Sequence, residues 1–372
     1  MADARSGCFS FWQLRYLHDA KYELVAGQLI GAYSTINPFV LITGSPGLGK
    51  SDMLMMQAVI KADSGDTVFI YDQTNAFCRF EWAAHNVPQE IIDNIVFWDL
   101  STMGWPIDLL DFRGCESHEQ KVQRLSSLLK SGSHLTGPNQ LSILKRTAAV
   151  IVSRYEQGNY DIKSAIDDCL KDTGKEGEVK ERLMTIFSTV ASNNTSPYTW
   201  EQLVAMRGRI IVFSAGNAVV NPDANPLDIV LDIFYSFKDK HRDKNVTLIL
   251  DEIQRMNIAE GAPIDVILST GRKLNISVYI ATQRYVLGRT DLPRIEEYCG
   301  TKIFFQPMDS CVKSAAITTH LSVDELLSFE QGKCAIVGSL YSEHMGKNVP
   351  VRKAIVGQTY RPPYVGDYDK NE

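Results

Sequence analysis

The sequence predicts an α/β protein, a mostly parallel sheet flanked by helices with an all-α insertion. Three observations carry that expectation. Short, continuous apolar runs recur along the chain with helix-length segments between several of them. A glycine-rich loop stands between the first convincing run and a helix. One long stretch shows helical spacing and no strand. At 372 residues the chain is long enough for two to three domains, or for one large domain that carries an insertion.

The strand-sized runs are Phe39 to Thr43, Val68 to Tyr71, Ile95 to Trp98, Ile210 to Phe213, Val246 to Leu250, Val278 to Ala281 and Lys302 to Phe305. They are apolar throughout and do not alternate, which is the pattern of strands buried on both faces of a parallel sheet. From Phe112 to Val204 the pattern changes. Glu119 to Leu129, Leu141 to Tyr155, Ile162 to Leu170 and Glu178 to Val190 carry apolar residues at helical spacing. The breaks Lys130 to Asn139, Asp172 to Gly177 and Ser192 to Pro197 are rich in turn residues. The expected division is therefore residues 1–111 and 205–357 as two parts of one α/β domain, 112–204 as the insertion, and 358–372 as an extended tail with Pro362, Pro363 and Gly366.

Composition excludes several classes. With 44% hydrophobic and 22% charged residues the chain is neither disordered nor collagen-like nor a coiled coil. No apolar run approaches the length that crosses a bilayer. Asp3 and Arg5 stand near the start with no apolar region behind them, so no secretory signal is expected. The 7 cysteines form no CxxC pair, which argues against a disulfide framework or a zinc site and for the reducing cytoplasm. A net charge of -6 argues against a protein coated in basic surface for nucleic acid, although it leaves room for a local basic channel.

Chemistry enters with Gly44, Ser45, Pro46, Gly47, Leu48, Gly49, Lys50 and Ser51, which match the phosphate-loop pattern G-x-x-x-x-G-K-[ST] between the strand ending at Thr43 and the helical run from Asp52 to Lys61. Glycines let the backbone curl until its N–H groups converge on phosphate oxygens, and the helix start adds positive potential. Lys50 is placed to neutralise the β- and γ-phosphates of ATP, and the Ser51 hydroxyl to hold Mg²⁺. A second element, Val246 to Glu252, is a buried strand ending in two carboxylates. Asp251 is the expected second Mg²⁺ residue, and Glu252 the group that orients an attacking water, which favours hydrolysis over transfer to a small molecule. A third, Ser277 to Ala281, delivers Thr282 and Gln283 at a strand's carboxyl end, where open α/β sheets bind ligands. Gln283 is placed there to sense the γ-phosphate or the water.

Together these residues resemble the HerA–FtsK superfamily of hexameric P-loop motor ATPases, which includes conjugative coupling proteins and VirB4-like secretion ATPases. The resemblance spans most of residues 30 to 357. It rests on the order GSPGLGKS, LILDE, GRKLNISVYIATQR and TKIFFQ, the last followed by Met308-Asp309-Ser310. No LSGGQ-like signature is present. The resemblance implies a RecA-like core and makes Gly44 to Ser51, with Asp52, the nucleotide loop. It makes Asp251 and Glu252 the Walker B pair and Gln283 the sensor. Arg272, eleven residues before Gln283, becomes the candidate arginine finger for a neighbouring subunit. Arg284 and Lys302 are further candidates for phosphate contact, each also readable as a solvated surface cation. The likeness weakens after Val68 to Asp72, where the chain continues Gln73-Thr74-Asn75 in place of an Asp-Pro-Lys-Gly-like turn, which leaves Asp72 without an assigned role.

The resemblance also implies partners. It points to a homo-oligomer, a hexamer, with DNA as the moved polymer, or else protein cargo in a VirB4-like secretion or assembly machine. Without a transmembrane pair or an N-terminal β-barrel the chain reads as a bare motor, cytoplasmic or peripheral at the inner membrane, working with separately encoded membrane or nuclease partners. Lys238 to Lys244 interleaves acids with bases and reads as a solvated helix end. The loops Ala215 to Asn225 and Gln254 to Pro263 are the candidate channel-facing segments.

Overall fold

The computed structural model describes residues 12–16, 37–85, 87–191, 200–215, 224–238, 242–285, 292–342 and 347–359. All seven expected runs are strands. In chain order the described strands are β1 (Trp12–Tyr16), β2 (Phe39–Thr43), β3 (Thr67–Asp72), β4 (Ile95–Asp99), β5 (Ile210–Ser214), β6 (Val246–Leu250), β7 (Ile276–Thr282), β8 (Thr301–Phe304), β9 (Lys333–Ser342) and β10 (Lys347–Thr359). They form one sheet in the order β1-β10-β9-β8-β2-β7-β6-β3-β5-β4. From β8 through β4 every pairing is parallel. The remaining pairs, β8 with β9, β9 with β10 and β10 with β1, are antiparallel.

The antiparallel flank has no counterpart among the expected strands. β9 and β10 carry Gly338, Pro350, Arg352, Lys353 and a register irregularity between Val351 and Ile355, so neither offers a continuous apolar run. Strands away from the doubly covered middle of a sheet are free to carry such residues. β10 continues to Thr359, two residues past the expected end of the α/β domain, and residues 360–372 lie outside the described residues.

Parallel strands present alternate side chains to two apolar layers. Val40 and Ile42 of β2, with Val68 and Ile70 of β3, face the layer formed with the helix Lys50–Asp63 and Trp82. Leu41, Phe69, Tyr71, Leu248 and Leu250 face the other layer. That second layer continues without a break into the helical stretch. Leu125 and Leu129 of the helix His118–Ser133, Ile151 of Pro138–Glu156, Ala165 of Ile162–Cys169 and Leu183 of Gly174–Thr189 belong to the same buried cluster as Ile229 and Phe234 of Pro226–Lys238. The short helix Trp200–Ala205 leads back into the sheet. Residues 112–204 thus hold helices and no strand among the described residues, and they share the core of the sheet.

The helix starts in this stretch have local causes. Ser117 and Gln120 form a reciprocal capping box at the start of His118–Ser133, and the Asp161 side chain caps Ile162–Cys169. Near its end, His118–Ser133 passes so close to Pro226–Lys238 that a Cβ on Gly132 would lie 2.6 Å from Ile229 Cγ1. The Gly132 carbonyl also accepts from the Asn225 backbone N–H at 2.7 Å. Lys238, expected at a solvated helix end, is instead buried, while Asp243 and Lys244 pair at 3.1 Å; residues 239–241 lie outside the described residues.

Gly132→Val should therefore overpack this helix crossing and lower stability by about 1–3 kcal/mol. Urea unfolding should show a lower midpoint at an unchanged slope. An unchanged midpoint would mean that the two helices separate without cost.

Candidate functional site

The parallel register sets the site. Thr43 of β2 lies beside Thr282 of β7 and Phe304 of β8, while Tyr71 of β3 lies beside Leu250 of β6, so the residues that follow these strands emerge along one carboxyl edge. At that edge Gly44, Gly47 and Gly49 take φ values of 153°, 75° and 100°, and Gly49 is the left-handed residue from which the helix Lys50–Asp63 starts. Such backbone is open to glycine and strained for other residues. A Cβ on Gly44 would also collide with Phe305 Cβ at 2.6 Å. The loop is held from two sides: Ser45 N–H donates to the Gln306 carbonyl at 2.8 Å, and Gly332 N–H donates to the Leu48 carbonyl at 3.1 Å. Lys50 Nζ folds back over the loop and donates to the Gly44 and Ser45 carbonyls, both at 2.8 Å. Burial lowers the pKa of this amine, and the charges of Glu252 and then Asp251 oppose that shift.

β6 ends in Asp251 and Glu252, both buried. The Asp251 carboxyl is pushed up to about 7 by burial, and then by the neighbouring charges of Glu252 and Asp72. Thr74 Oγ1 donates to Asp251 Oδ2 at 3.1 Å. Asp72, left without a role by the sequence, explains how Thr74 comes to be there. Its Oδ1 accepts from the Thr74 and Ala76 N–H groups at 3.0 and 3.1 Å, and its Oδ2 from the Phe77 N–H at 2.9 Å. Burial raises the Asp72 pKa and these backbone donors pull it back down. An Asp at a strand end that bonds the backbone two residues on is an Asx turn, and Asp72-Gln73-Thr74-Asn75 carries its composition.

Glu252 sits at φ 49° and ψ 53°, a left-handed conformation rare for a residue with a side chain. Gln283 Nε2 donates to its Oε1 at 2.5 Å, which brings together two residues 31 positions apart in the sequence. Gln254 Nε2 donates to its Oε2, and Gln254 Oε1 accepts from Thr282 Oγ1 at 2.8 Å. Gln254 carries no sequence signal of its own beyond its place two residues after the acidic pair.

Other sequence candidates fall elsewhere. The Asp52 carboxylate pairs with the His85 ring rather than reaching the loop. Lys302 pairs with Glu296 at 2.8 Å, which accounts for its charge away from the phosphate loop. Arg284 is exposed just after Gln283, and its N–H donates to Thr282 Oγ1 at 3.1 Å. Arg272 is exposed in the 3-10 turn Gly271–Leu274 that precedes β7. Seven residues of β7 separate that turn from the carboxyl edge, about 23 Å of extended chain, so Arg272 stands at the opposite end of β7 from the edge that carries the phosphate loop. Of the candidate channel loops, residues 216–223 lie outside the described residues, while Gln254–Pro263 opens with the 3-10 turn Ile253–Arg255.

The residues present fit a nucleotide with Mg²⁺. Lys50 Nζ, which donates here to the Gly44 and Ser45 carbonyls, is a cationic donor that phosphate oxygens can take up, and Ser51 with Asp251 offers hard oxygen ligands. Among the described residues no group of three or more His, Cys, Asp or Glu side chains could cage a metal. A cation held through two side chains, water and substrate phosphates is how Mg²⁺ is usually bound.

No protein-family model matches the sequence, and no curated protein matches it. Solved structures do match the fold. VirB4 of Thermoanaerobacter pseudethanolicus superposes with a TM-score of 0.60 at 15% identity, over 91% of this chain and 95% of that one. The bacterial conjugative coupling protein TrwB, in an unbound form, gives 0.58 at 14% identity over 88% of each chain. The same protein in complex with ADP and Mg²⁺ gives 0.60 at 13% identity, again over 88% of each. The chain shares with these structures a RecA-like P-loop fold, a mostly parallel sheet flanked by helices.

The raised Asp251 pKa makes a stability prediction for the nucleotide-free protein. The folded state favours the neutral acid, so it holds a proton that the unfolded chain releases above about pH 4, and stability falls as pH rises from there to about 7. Asp251→Asn should raise the melting temperature more at about pH 8 than at about pH 5. An equal gain at both, or a loss at about pH 8, would show that burial does not penalise the ionised carboxylate.

Proposed function

We propose that the chain is an ATP-hydrolysing ring motor that assembles as a hexamer and translocates DNA through its central channel. The observation that carries the hydrolase part is the convergence of Lys50, Asp251, Glu252 and Gln283 at one carboxyl edge, with Glu252 held by Gln283 at 2.5 Å. In this reading residues 1–111 and 205–357 form the RecA-like motor, 112–204 the helical insertion and 358–372 the tail. Among the described residues no helix is long and apolar enough to cross a membrane. In the same reading the motor works in the cytoplasm or peripherally at the inner membrane, with separately encoded membrane or nuclease partners.

The chemistry follows from the side chains. The backbone of Gly44 to Asp52, which runs from the loop into the first turn of the helix Lys50–Asp63, and the Lys50 amine bind the phosphates, with Arg284 at the rim. Ser51 and Asp251 hold Mg²⁺, which when bound neutralises charge on the β- and γ-phosphate oxygens. Glu252 orients a water in line with the γ-phosphorus and accepts its proton as the new P–O bond forms and the bond to the bridging oxygen breaks. Gln283, bonded to Glu252, sits where the water and the γ-phosphate meet. Arg272, at the opposite end of β7 from the edge that carries the phosphate loop, completes a neighbour's site by stabilising charge on the transferred phosphoryl group.

A second reading, a VirB4-like secretion or assembly ATPase acting on protein cargo, is favoured by the extent of the VirB4 likeness, 91% of this chain against 88% for TrwB. A nucleic-acid-stimulated ATPase assay separates the two. For a DNA motor, double- or single-stranded DNA should raise turnover at low salt, with stimulation fading as salt increases, because phosphate contacts release counterions. Turnover indifferent to DNA across the whole series would sink the DNA reading and leave protein as the cargo.

Arginine fingers contribute on the order of 10³ to 10⁵ in rate, so Arg272→Ala should bind ATP and be nearly inactive. Glu252→Gln should behave likewise. Mixing the two proteins creates interfaces that pair an intact Glu252 with an intact neighbouring Arg272, and ATP hydrolysis should return. No recovery in rings shown by native mass spectrometry to be mixed would count against the trans role of Arg272.

A further inference from the structure

Glu252 is gripped by two amides, and only one of them belongs to the motifs that the sequence displays. Gln283 supplies the donor to Oε1 at 2.5 Å, and Gln254 supplies the donor to Oε2. The Gln254 group that faces the Glu252 carboxyl is the NH₂, a donor, and its Oε1 is left to face Thr282. There the hydroxyl of Thr282 donates to Oε1 at 2.8 Å. The same hydroxyl oxygen accepts the Arg284 N–H at 3.1 Å, while its alternative acceptor, the Arg284 carbonyl, is farther away at 3.2 Å. Thr282 is fully buried in the last position of β7, so the chain Arg284 N–H, Thr282, Gln254, Glu252 has one consistent direction of donation and a rigid anchor.

The backbone gives this arrangement something to hold. Glu252 is the left-handed residue at the head of the 3-10 turn Ile253–Arg255, a strained conformation that persists only where its surroundings impose it. The turn brings Gln254 back over the carboxylate.

We propose that Gln254 is a positioning residue for nucleotide hydrolysis: anchored by Thr282, it fixes the second oxygen of the Glu252 carboxylate so that the remaining lone pairs face an attacking water beside the phosphate loop. The inference rests on the reading of Glu252 as the water-orienting group. In this role Gln254 acts through the Glu252 side chain that it holds.

Steady-state ATP turnover of the full chain tests it, with nucleotide affinity measured alongside by calorimetry. A positioned general base contributes about 10²–10⁴ in rate, so Gln254→Ala should lower kcat by about tenfold to a hundredfold while KM and ATP affinity stay within about twofold. Gln254→Glu, of equal size, sets a carboxylate against a carboxylate and should lose more. Thr282→Val should reproduce the loss, and Thr282→Ser, which keeps the hydroxyl, should restore most of it. In a Glu252→Gln background Gln254→Ala should cost nothing further, because it acts through that side chain. Wild-type kcat in Gln254→Ala, a parallel loss of kcat and affinity, or an additive loss in the Glu252→Gln background would each overturn the positioning role while leaving the hydrolase reading intact. Absence of ATP turnover by the wild-type protein would instead bring down the hydrolase reading, and this inference with it.

Discussion

Three buried carboxylates, Asp72, Asp251 and Glu252, meet at one edge of the sheet with Lys50 as the cation set against the acidic pair. Around them the structure is arranged to make that concentration of charge tolerable. Asp72 directs its charge to three backbone N–H groups, Asp251 receives the Thr74 hydroxyl, and Glu252 is held by two amides. The Asp251 carboxyl still lies near 7, so the solvation is incomplete. Under the proposed function, a cation taken up with nucleotide would supply the missing positive charge there, so that binding would stabilise this edge of the sheet.

Parallel topology is what allows the gathering. Strands running in the same direction deliver their following residues to one edge, and β3, β6, β7 and β2 are neighbours in the sheet. Asp72, Asp251, Gln283 and the phosphate loop are distant in sequence and adjacent in space for that reason alone. The antiparallel flank serves the site from the side. The chain entering β9 passes Gly332 against Leu48, and the chain leaving β8 sets Phe305 and Gln306 against Gly44 and Ser45.

The sequence made the parallel core legible because strands buried on both faces leave unbroken apolar runs, from Phe39 to Thr43 through Lys302 to Phe305. It left β9 and β10 unread, since Gly338, Pro350 and Lys353 interrupt any such run in strands outside the parallel core. The site divides the same way. Lys50, Asp251, Glu252 and Gln283 were readable from motif and from position at strand ends. Thr74 and Gln254 were not, because their part depends on which atom they face, and nothing in a Thr or a Gln two residues past a motif announces it. Asp52 was a candidate because it follows Ser51, and Lys302 because the resemblance sets it at the start of the strand after Gln283, while their charges are engaged by His85 and Glu296.

The helical stretch is joined to the carboxyl edge of the sheet through polar atoms as well as through its apolar core. Asn225, fully buried, donates its N–H to the Gly132 carbonyl at 2.7 Å and its side-chain amide to Gln73 Oε1 and the Arg255 carbonyl at 3.1 and 3.3 Å. Asp228, one helical turn on, faces His134 Nε2 at 2.6 Å and accepts the Asn257 N–H at 3.2 Å through the same oxygen. Burial raises the Asp228 pKa, and His134 opposes that shift. One end of the helix His118–Ser133, the residues after β3 and the turn that carries Gln254 are therefore fastened to the same two side chains. A buried polar network of this kind is stable only when each partner stays in place. A displacement of that helix end by an ångström would have to be met either by breaking buried hydrogen bonds or by moving the turn Ile253–Arg255, and moving the turn moves the residue in front of it, Glu252.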